Sequence, residues 1–234
     1  SATFAFFDPQ PLASASIGQV HAARLHTGEE VIVKVQRPGV EKRVELDIAI
    51  LQDVARLAAG RTIWGRVYDL PGMVEEFADT LRGELDYVRE GRNADRIRRH
   101  FAGDPSLYVP RIYWPYTTRR VLTMERIRGI KLNDVRALEA AGVNRRQVAL
   151  TGVHVVLKMM LQDGFYHADP HPGNFLIMKG ETIGMLDYGM VGQIDPETRD
   201  SLIHLFLAVA DQDLTRIVDG LVDLGVAGTT VQME

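Results

Sequence analysis

Residues 167–174 read HADPHPGN, and residues 186–189, which follow an apolar hairpin pattern, read LDYG. Asp169 and Asn174 are five positions apart, and Asp187 follows thirteen positions after Asn174. Carboxylate and amide oxygens are the ligands that Mg²⁺ prefers in proteins. Because chance seldom produces three such groups in this order, we interpret the two motifs as parts of one site.

This order and spacing resemble those of protein kinases. In those enzymes a loop aspartate acts as the base, and a downstream asparagine and aspartate hold Mg²⁺ against the phosphates of ATP. The pattern therefore predicts that Asp169 is the catalytic base. It also predicts that Asn174 and Asp187 are the metal ligands.

The composition limits the class of protein. At 234 residues the chain is long enough for one large domain or two lobes. Its net charge of -4 provides no overall attraction to nucleic acid, so we expect no nucleic-acid partner. The absence of cysteine excludes disulfides and fits a reducing compartment. Since the sequence shows no run of about 18 apolar residues and no secretion signal, we expect a cytoplasmic location.

The first third of the chain predicts a β-hairpin that carries a lysine. Segments 19–25 and 31–36 are rich in β-forming residues and are joined by the turn-prone sequence HTG at 26–28. Lys34 lies on the opposite sheet face from the valines of its strand, and it can supply a cation to phosphates. A loop of small residues precedes the hairpin where a phosphate-covering loop would lie: Ala13, Ser14, Ala15, Ser16, Ile17 and Gly18.

Apolar periodicity predicts two helices after this hairpin. The first begins near Val44, and the second is a long C-type helix that runs from Val74 toward Ile97. Glu90 lies on this second helix and is the candidate carboxylate partner of Lys34.

The composition changes at Arg128-Gly129, beyond which helical patterns dominate. We therefore expect an α+β, bilobal protein-kinase-like fold. Residues 1–126 would form the N-lobe, with a small antiparallel β-sheet and helices. Residues 127–234 would form a mainly helical C-lobe that contains the catalytic loop and the metal-binding Asp-Tyr-Gly.

Several segments together resemble the UbiB/ADCK family of atypical, protein-kinase-like proteins. They span nearly the whole chain in the order of the family: PLASASIGQVH at 11–21, VKVQRPG at 33–39, ELDYVRE at 84–90 with Asn93, HADPHPGN at 167–174 and LDYG at 186–189. The alanine-rich loop and the Glu-x-Asp-Tyr-x-x-Glu signature are specific to this family rather than to kinases at large.

The resemblance implies an ATP- and Mg²⁺-binding ATPase or phosphotransferase that supports ubiquinone, menaquinone or other isoprenoid-lipid biosynthesis. Lys34 would contact the phosphates with Glu90 as its partner, and the backbone of a hinge strand would receive adenine at Met124, Glu125 and Ile127. Residues 13–18 would replace the usual glycine-rich loop. Because their side chains limit how closely the backbone wraps phosphate, we expect ATP hydrolysis or small-molecule phosphorylation rather than protein phosphorylation.

The chain also departs from the family. The family's Lys-x-Gly-Gln motif does not occur in it, whereas the usual partner of that motif, the Glu84/Asp86 pair, is present. We therefore interpret the chain as a truncated core that lacks the N-terminal extension. The resemblance leaves open three further partners of the full-length protein: an isoprenoid or quinone-precursor lipid, biosynthetic enzymes and a peripheral membrane contact.

Two other functions remain open. A small-molecule phosphotransferase of the aminoglycoside or choline kinase kind also has a His-x-Asp loop with a downstream Asn and Asp, but it lacks the SIGQVH sequence of 16–21 and the 84–90 signature. A non-catalytic nucleotide-binding scaffold for lipid-biosynthesis enzymes is disfavoured, because all the nominal catalytic groups are present.

Overall fold

The computed structural model describes residues 3–59 and 69–226. The strands are β1 (Phe6–Phe7), β2 (Ala13–Ser14), β3 (Gly18–Arg24), β4 (Glu30–Gln36), β5 (Leu107–Tyr108), β6 (Val121–Glu125), β7 (Ile130–Lys131), β8 (Phe165–His167), β9 (Phe175–Ile177), β10 (Ile183–Met185) and β11 (Val191–Gln193). The helices are α1 (Val40–Ala59), α2 (Leu70–Glu84), α3 (Tyr87–His100), α4 (Val135–Ala140), α5 (Arg145–Leu157), α6 (Pro196–Ala210) and α7 (Leu214–Asp223). A π-helical turn, Lys158–Gln162, continues α5, and the 3₁₀ helices are Trp114–Tyr116 and Pro172–Asn174.

The first sheet is antiparallel and places the predicted lysine on a central strand. Its order is β1-β3-β4-β6, with β2 paired to β3. The predicted hairpin is confirmed as β3 and β4. Lys34 on β4 lies between Val20 on β3 and Leu122 on β6, so neighbouring strands fix its backbone on both sides.

The prediction of one long helix from Val74 toward Ile97 is wrong, because the chain breaks into α2 and α3. The carboxylate of Asp86 accepts hydrogen bonds from the backbone N–H groups of Val88 at 3.0 Å and Arg89 at 3.3 Å. This N-cap satisfies backbone donors that a continuous helix would have paired internally. The apolar stripe continues across the break, so periodicity alone did not reveal it.

The second half of the chain holds two small sheets among helices. One has the order β5-β10-β9-β7, and in the other β8 pairs with β11. One cluster of buried apolar side chains has members in both halves of the molecule, and Tyr188 of the LDYG motif belongs to it. Its buried members include Tyr87 and Ile97 of α3, Met124 of β6, Phe165 of β8 and Tyr188.

The apolar stripe of α1 is only partly buried against its neighbour α2. Ile48 and Ala55 are buried, whereas Val54 and Leu57 are more than half exposed. Within residues 3–59 and 69–226, no helix is both long and apolar enough to cross a membrane.

Candidate active site

A buried ion-pair cluster joins three segments that are far apart in the sequence. Lys34 Nζ donates a hydrogen bond to Oε1 of Glu90 on α3, and it donates another to Oδ2 of Asp187 at 3.0 Å. Lys34 and Glu90 are buried, while the Asp187 side chain is 39% exposed. The structure therefore brings three predicted site residues together and leaves one carboxylate open to solvent.

Lys34 and Asp187 hold each other in their charged forms, whereas burial outweighs the effect of Lys34 on Glu90 and raises the pKa of that carboxyl above its usual value. Burial by itself would lower the pKa of Lys34, but the Glu90 and Asp187 carboxylates outweigh burial and raise that pKa above its usual value. Burial would raise the pKa of Asp187, yet Lys34 and the N–H of Gly189, which donates to Oδ1 at 3.0 Å, lower it. At neutral pH the site therefore presents a fixed cation and a fixed anion. These are the charges that phosphate and Mg²⁺ require.

A further carboxylate, Glu84 at the end of α2, lies against this cluster. Its side chain rests on Gly189, since a Cβ added to Gly189 would lie 2.5 Å from Glu84 Oε1. That oxygen is buried and has no hydrogen-bond partner in the described parts of the chain. Burial, followed by the charges of Asp187 and Glu90, raises the pKa of Glu84 to about 7.

Sequence reasoning treated Glu84 only as one half of a pair with Asp86. The structure separates the two roles, because Asp86 caps α3 while Glu84 faces the site. The sequence signal for a role of Glu84 at the site was its position as the first glutamate of the ELDYVRE signature. The helix break that turns it inward was not predicted.

We expect the substitution Glu84→Gln to stabilise the protein, relative to the parent, increasingly as pH rises from about 5 to about 8. The folded-state pKa of about 7 lies above the ordinary value of 4.5, so the parent loses stability as pH rises through this window. The loss arises because ionised Glu84 is partly buried and also faces Asp187 and Glu90, whereas glutamine never ionises. The measurement is the difference between the two thermal unfolding midpoints across this pH range, in EDTA.

Glu76→Gln, at an exposed position of the same helix, is the matched control. A Glu84→Gln difference that stays constant across the pH range, as in this control, would contradict the burial of a titrating carboxylate.

Two histidines stabilise the segment 167–174, which is the predicted catalytic loop. His167 Nδ1 accepts a hydrogen bond from the backbone N–H of Asp169 at 3.0 Å. His171 Nδ1 accepts one from the N–H of Gly173 at 3.1 Å and caps the short 3₁₀ helix. Both rings therefore stabilise the shape of the loop. Asp169 itself is exposed.

Asn174 connects the catalytic loop to the segment that carries Asp187. Its Nδ2 donates to the carbonyl of Asp169 at 3.3 Å, and its own carbonyl accepts from the N–H of Leu186 at 2.9 Å. Its amide oxygen has no hydrogen-bond partner among the residues described. Asn174 Oδ1 is therefore available as a ligand close to the start of the LDYG segment.

These residues fit a metal ion that arrives with phosphate. In the described ranges no group of three or more His, Asp and Glu side chains converges as a metal site of its own. Mg²⁺ is usually held by one or two carboxylates together with substrate phosphates and water rather than by an all-protein cage. The Asn174 amide oxygen and the Asp187 carboxylate match that requirement.

A cavity of about 380 Å³ opens beside the ion-pair cluster, and the small-residue loop forms part of its wall. Four of the six predicted loop residues line it, namely Ala15, Ser16, Ile17 and Gly18. Ala13 and Ser14 instead form β2, pair with β3 and are exposed. The contacts of the predicted loop with the cavity therefore come from its tip, residues 15–18.

Gly18 is required where the loop enters β3. A Cβ at this position would lie 2.8 Å from the carbonyl oxygen of Val35 and 2.6 Å from the Tyr87 hydroxyl. Only glycine allows this close approach of the two strands and α3.

The predicted hinge lies outside this cavity. Met124 is fully buried and pairs with Ile32 on β4. Glu125 is engaged within the protein, since its carboxylate accepts from the Tyr108 hydroxyl at 2.7 Å and its N–H donates to the carbonyl of Arg111. The N–H of Ile127 has no partner among the described residues. Ile127 is therefore the hinge residue with a free backbone donor.

A family model described as the ABC1 atypical kinase-like domain matches residues 1–221. An uncharacterized protein of Synechocystis sp. is 48% identical over 229 residues, which are 97% of this chain and 39% of that protein. A protein of Azotobacter vinelandii named probable protein kinase UbiB is 40% identical over 226 residues, or 95% of this chain and 42% of that protein. The chain spans about two fifths of the length of these curated relatives.

A solved structure shows the same fold. The complex of Rv3197 with erythromycin, from Mycobacterium tuberculosis, superposes with a TM-score of 0.76 at 25% identity. The match covers 99% of this chain and 57% of that chain. Together with the family match, it confirms the predicted α+β, bilobal kinase-like fold.

Proposed function

Because the chain belongs to the ABC1 atypical kinase-like family, which is the UbiB/ADCK family that its motifs resemble, we propose that it binds Mg-ATP and transfers the γ-phosphoryl group. One observation carries the proposal. The cation of Lys34, the carboxylates of Glu90 and Asp187 and the tip of the 13–18 loop surround one cavity.

Each residue has a distinct role in this proposal. Lys34 neutralises charge on the phosphates, and Glu90 holds its side chain in place. Asn174 and Asp187 hold Mg²⁺, which supplies charge neutralisation on the phosphate oxygens. Asp169 accepts the proton of the attacking oxygen, as that oxygen bonds to the γ-phosphorus and the bond to the ADP oxygen breaks.

Adenine would bind between the lobes 1–126 and 127–234. The buried Met124 side chain and the engaged Glu125 side chain leave backbone groups as the means of recognition. Since the N–H of Ile127 is free, we place the main adenine hydrogen bond there.

The acceptor in this proposal is water or a small lipid-pathway molecule, and the pathway is ubiquinone, menaquinone or another isoprenoid-lipid biosynthesis. Side chains at the loop tip limit how closely the backbone wraps phosphate, which favours this kind of acceptor over a protein. The name UbiB of a 40%-identical relative supports the pathway. A lipid, biosynthetic enzymes and a peripheral membrane contact would be partners of the full-length protein, for which we propose a cytoplasmic location.

The test combines binding and turnover. We expect calorimetry to show Mg-ATP binding that EDTA abolishes. We expect a coupled ADP-release assay to show turnover that increases when a phenolic quinone-precursor mimic is added. Tight Mg-ATP binding without turnover under any condition would contradict the enzymatic proposal and favour a scaffold. Phosphorylation of choline or kanamycin would contradict the lipid-pathway assignment.

A further inference from the structure

A second cavity, of about 390 Å³, lies behind the catalytic loop and plays no part in the proposed nucleotide site. Helix α5, its π-helical continuation, strands β8 to β10 and the segment before α4 enclose it. Its lining includes Gly152, Tyr166, His167, Ala168, Pro170 and Ile183. Its volume falls within the range of about 300–1,000 Å³ that is typical of small-molecule pockets.

The lining specifies an apolar ligand without charge. Among the described residues that line it there is no Lys, Arg, Asp or Glu, and the only polar side chains are Tyr166 and His167. A carboxylate or diphosphate group would lose its hydration here without gaining a cation, which is unfavourable. The lining therefore favours a hydrocarbon chain whose polar end is neutral.

The cavity and the catalytic loop share a wall. Ala168 and Pro170, which flank Asp169 on both sides, line the cavity and are exposed at its edge. Asp169 itself does not line the cavity, so a chain bound there would contact the loop through Ala168 and Pro170. A hydroxyl at the end of this chain would emerge at the exposed edge of the cavity, beside the loop that carries the residue we propose as the base.

We infer that this cavity binds the hydrocarbon part of an uncharged lipid alcohol or phenol and directs its hydroxyl end to the catalytic loop. The inference rests on the proposed function for the role of that hydroxyl. The binding of the apolar chain rests on the cavity alone.

Gly152 provides a way to fill the cavity without damage to the fold. A Cβ added to Gly152 meets only Ile183 Cδ1, at 3.8 Å, which is an ordinary contact. In the interior of a helix, leucine is also more stable than glycine by about 1 kcal/mol in intrinsic helix propensity. Gly152→Leu should therefore occupy the cavity and keep or raise the thermal unfolding midpoint.

The probe is tritiated farnesol, an uncharged prenyl alcohol, measured by equilibrium binding to the chain of residues 1–234. We expect the parent to bind farnesol, and Gly152→Leu to weaken binding by about tenfold or more, because the loss of two buried methylene contacts already has that effect. Farnesoic acid, which has the same chain and a carboxylate, should bind more weakly than farnesol at pH 8. The matched control is Val153→Leu, which adds volume at an exposed position outside the cavity.

Three results would overturn the inference: no farnesol binding by the parent, equal binding by the parent and Gly152→Leu, or equal losses in Gly152→Leu and Val153→Leu. The first of these would also be expected if a polypeptide segment or a second copy of the chain covered the cavity. Mg-ATP affinity, measured by calorimetry on the same samples, should not differ among the three proteins. Farnesol binding without Mg-ATP binding would instead contradict the proposed function and leave the lipid site in place.

Discussion

Asp187→Asn is expected to reduce ATP turnover by roughly 10²–10³-fold, the size of effect seen when one preorganised electrostatic contact to a developing charge is removed. Asparagine keeps the shape of the side chain but loses the negative charge that faces Lys34 at 3.0 Å. The lowered pKa of Asp187 means that this charge is present throughout the neutral range. The measurement is coupled ADP release at saturating Mg-ATP, together with calorimetry of Mg-ATP binding.

Asp219→Asn is the control for this first prediction, because Asp219 is an exposed residue of α7. Its turnover should equal that of the parent. The thermal unfolding midpoint of Asp187→Asn should show that the variant is folded. Turnover by folded Asp187→Asn that matches the parent would contradict the assignment of Asp187 as a metal ligand.

Lys34→Met is expected to lower the free energy of unfolding by about 3–5 kcal/mol, the usual cost of removing one partner of a buried ion pair. The change leaves Glu90, which is only 5% exposed, without its cation in an apolar environment. Urea unfolding followed by circular dichroism gives the free energy. ATP binding should be lost as well, because Lys34 is the only cation that lines this cavity in residues 3–59 and 69–226.

The double variant Lys34→Met/Glu90→Gln isolates the electrostatic part of this effect. It removes both charges, so it should be more stable than Lys34→Met alone. Together with the single variant Glu90→Gln, it completes the cycle that measures the coupling between the two residues. Arg145→Ala, which breaks an exposed pair with Glu139, serves as the control and should have little effect. A Lys34→Met loss no larger than the control loss would show that the pair does not support the fold.

Local patterns in the sequence were sufficient for most of the secondary structure. The alternation in β4 and the turn at 26–28 depend on residues that are near neighbours in the chain. The structure shows a further local interaction at the start of α5, where the Asn144 side chain accepts a hydrogen bond from the N–H of Gln147 at 3.1 Å. The spacing of the motifs also identified candidate catalytic and metal-binding residues, because the loop that carries Asp169 and Asn174 is a short continuous segment.

The sequence also led to one wrong prediction, a single long helix from Val74 toward Ile97. Apolar periodicity reports which side of a helix is buried, and α2 and α3 both satisfy it. The break depends on a competing hydrogen bond, in which Asp86 caps α3. A side chain that can cap a helix can equally well face solvent on a continuous helix, so the pattern could not distinguish the two arrangements.

The sequence by itself determined the fold class, the family and the list of chemical groups, because each rests on interactions or motifs within a short stretch of chain. Only the tertiary structure decided how these groups meet. Lys34 reaches Glu90 across 56 positions and Asp187 across 153. The inward position of Glu84, the free N–H of Ile127 and the cavity beside Gly152 also arise where separate elements pack together. Packing between distant segments depends on shape and burial, and no local spacing in the sequence encodes them.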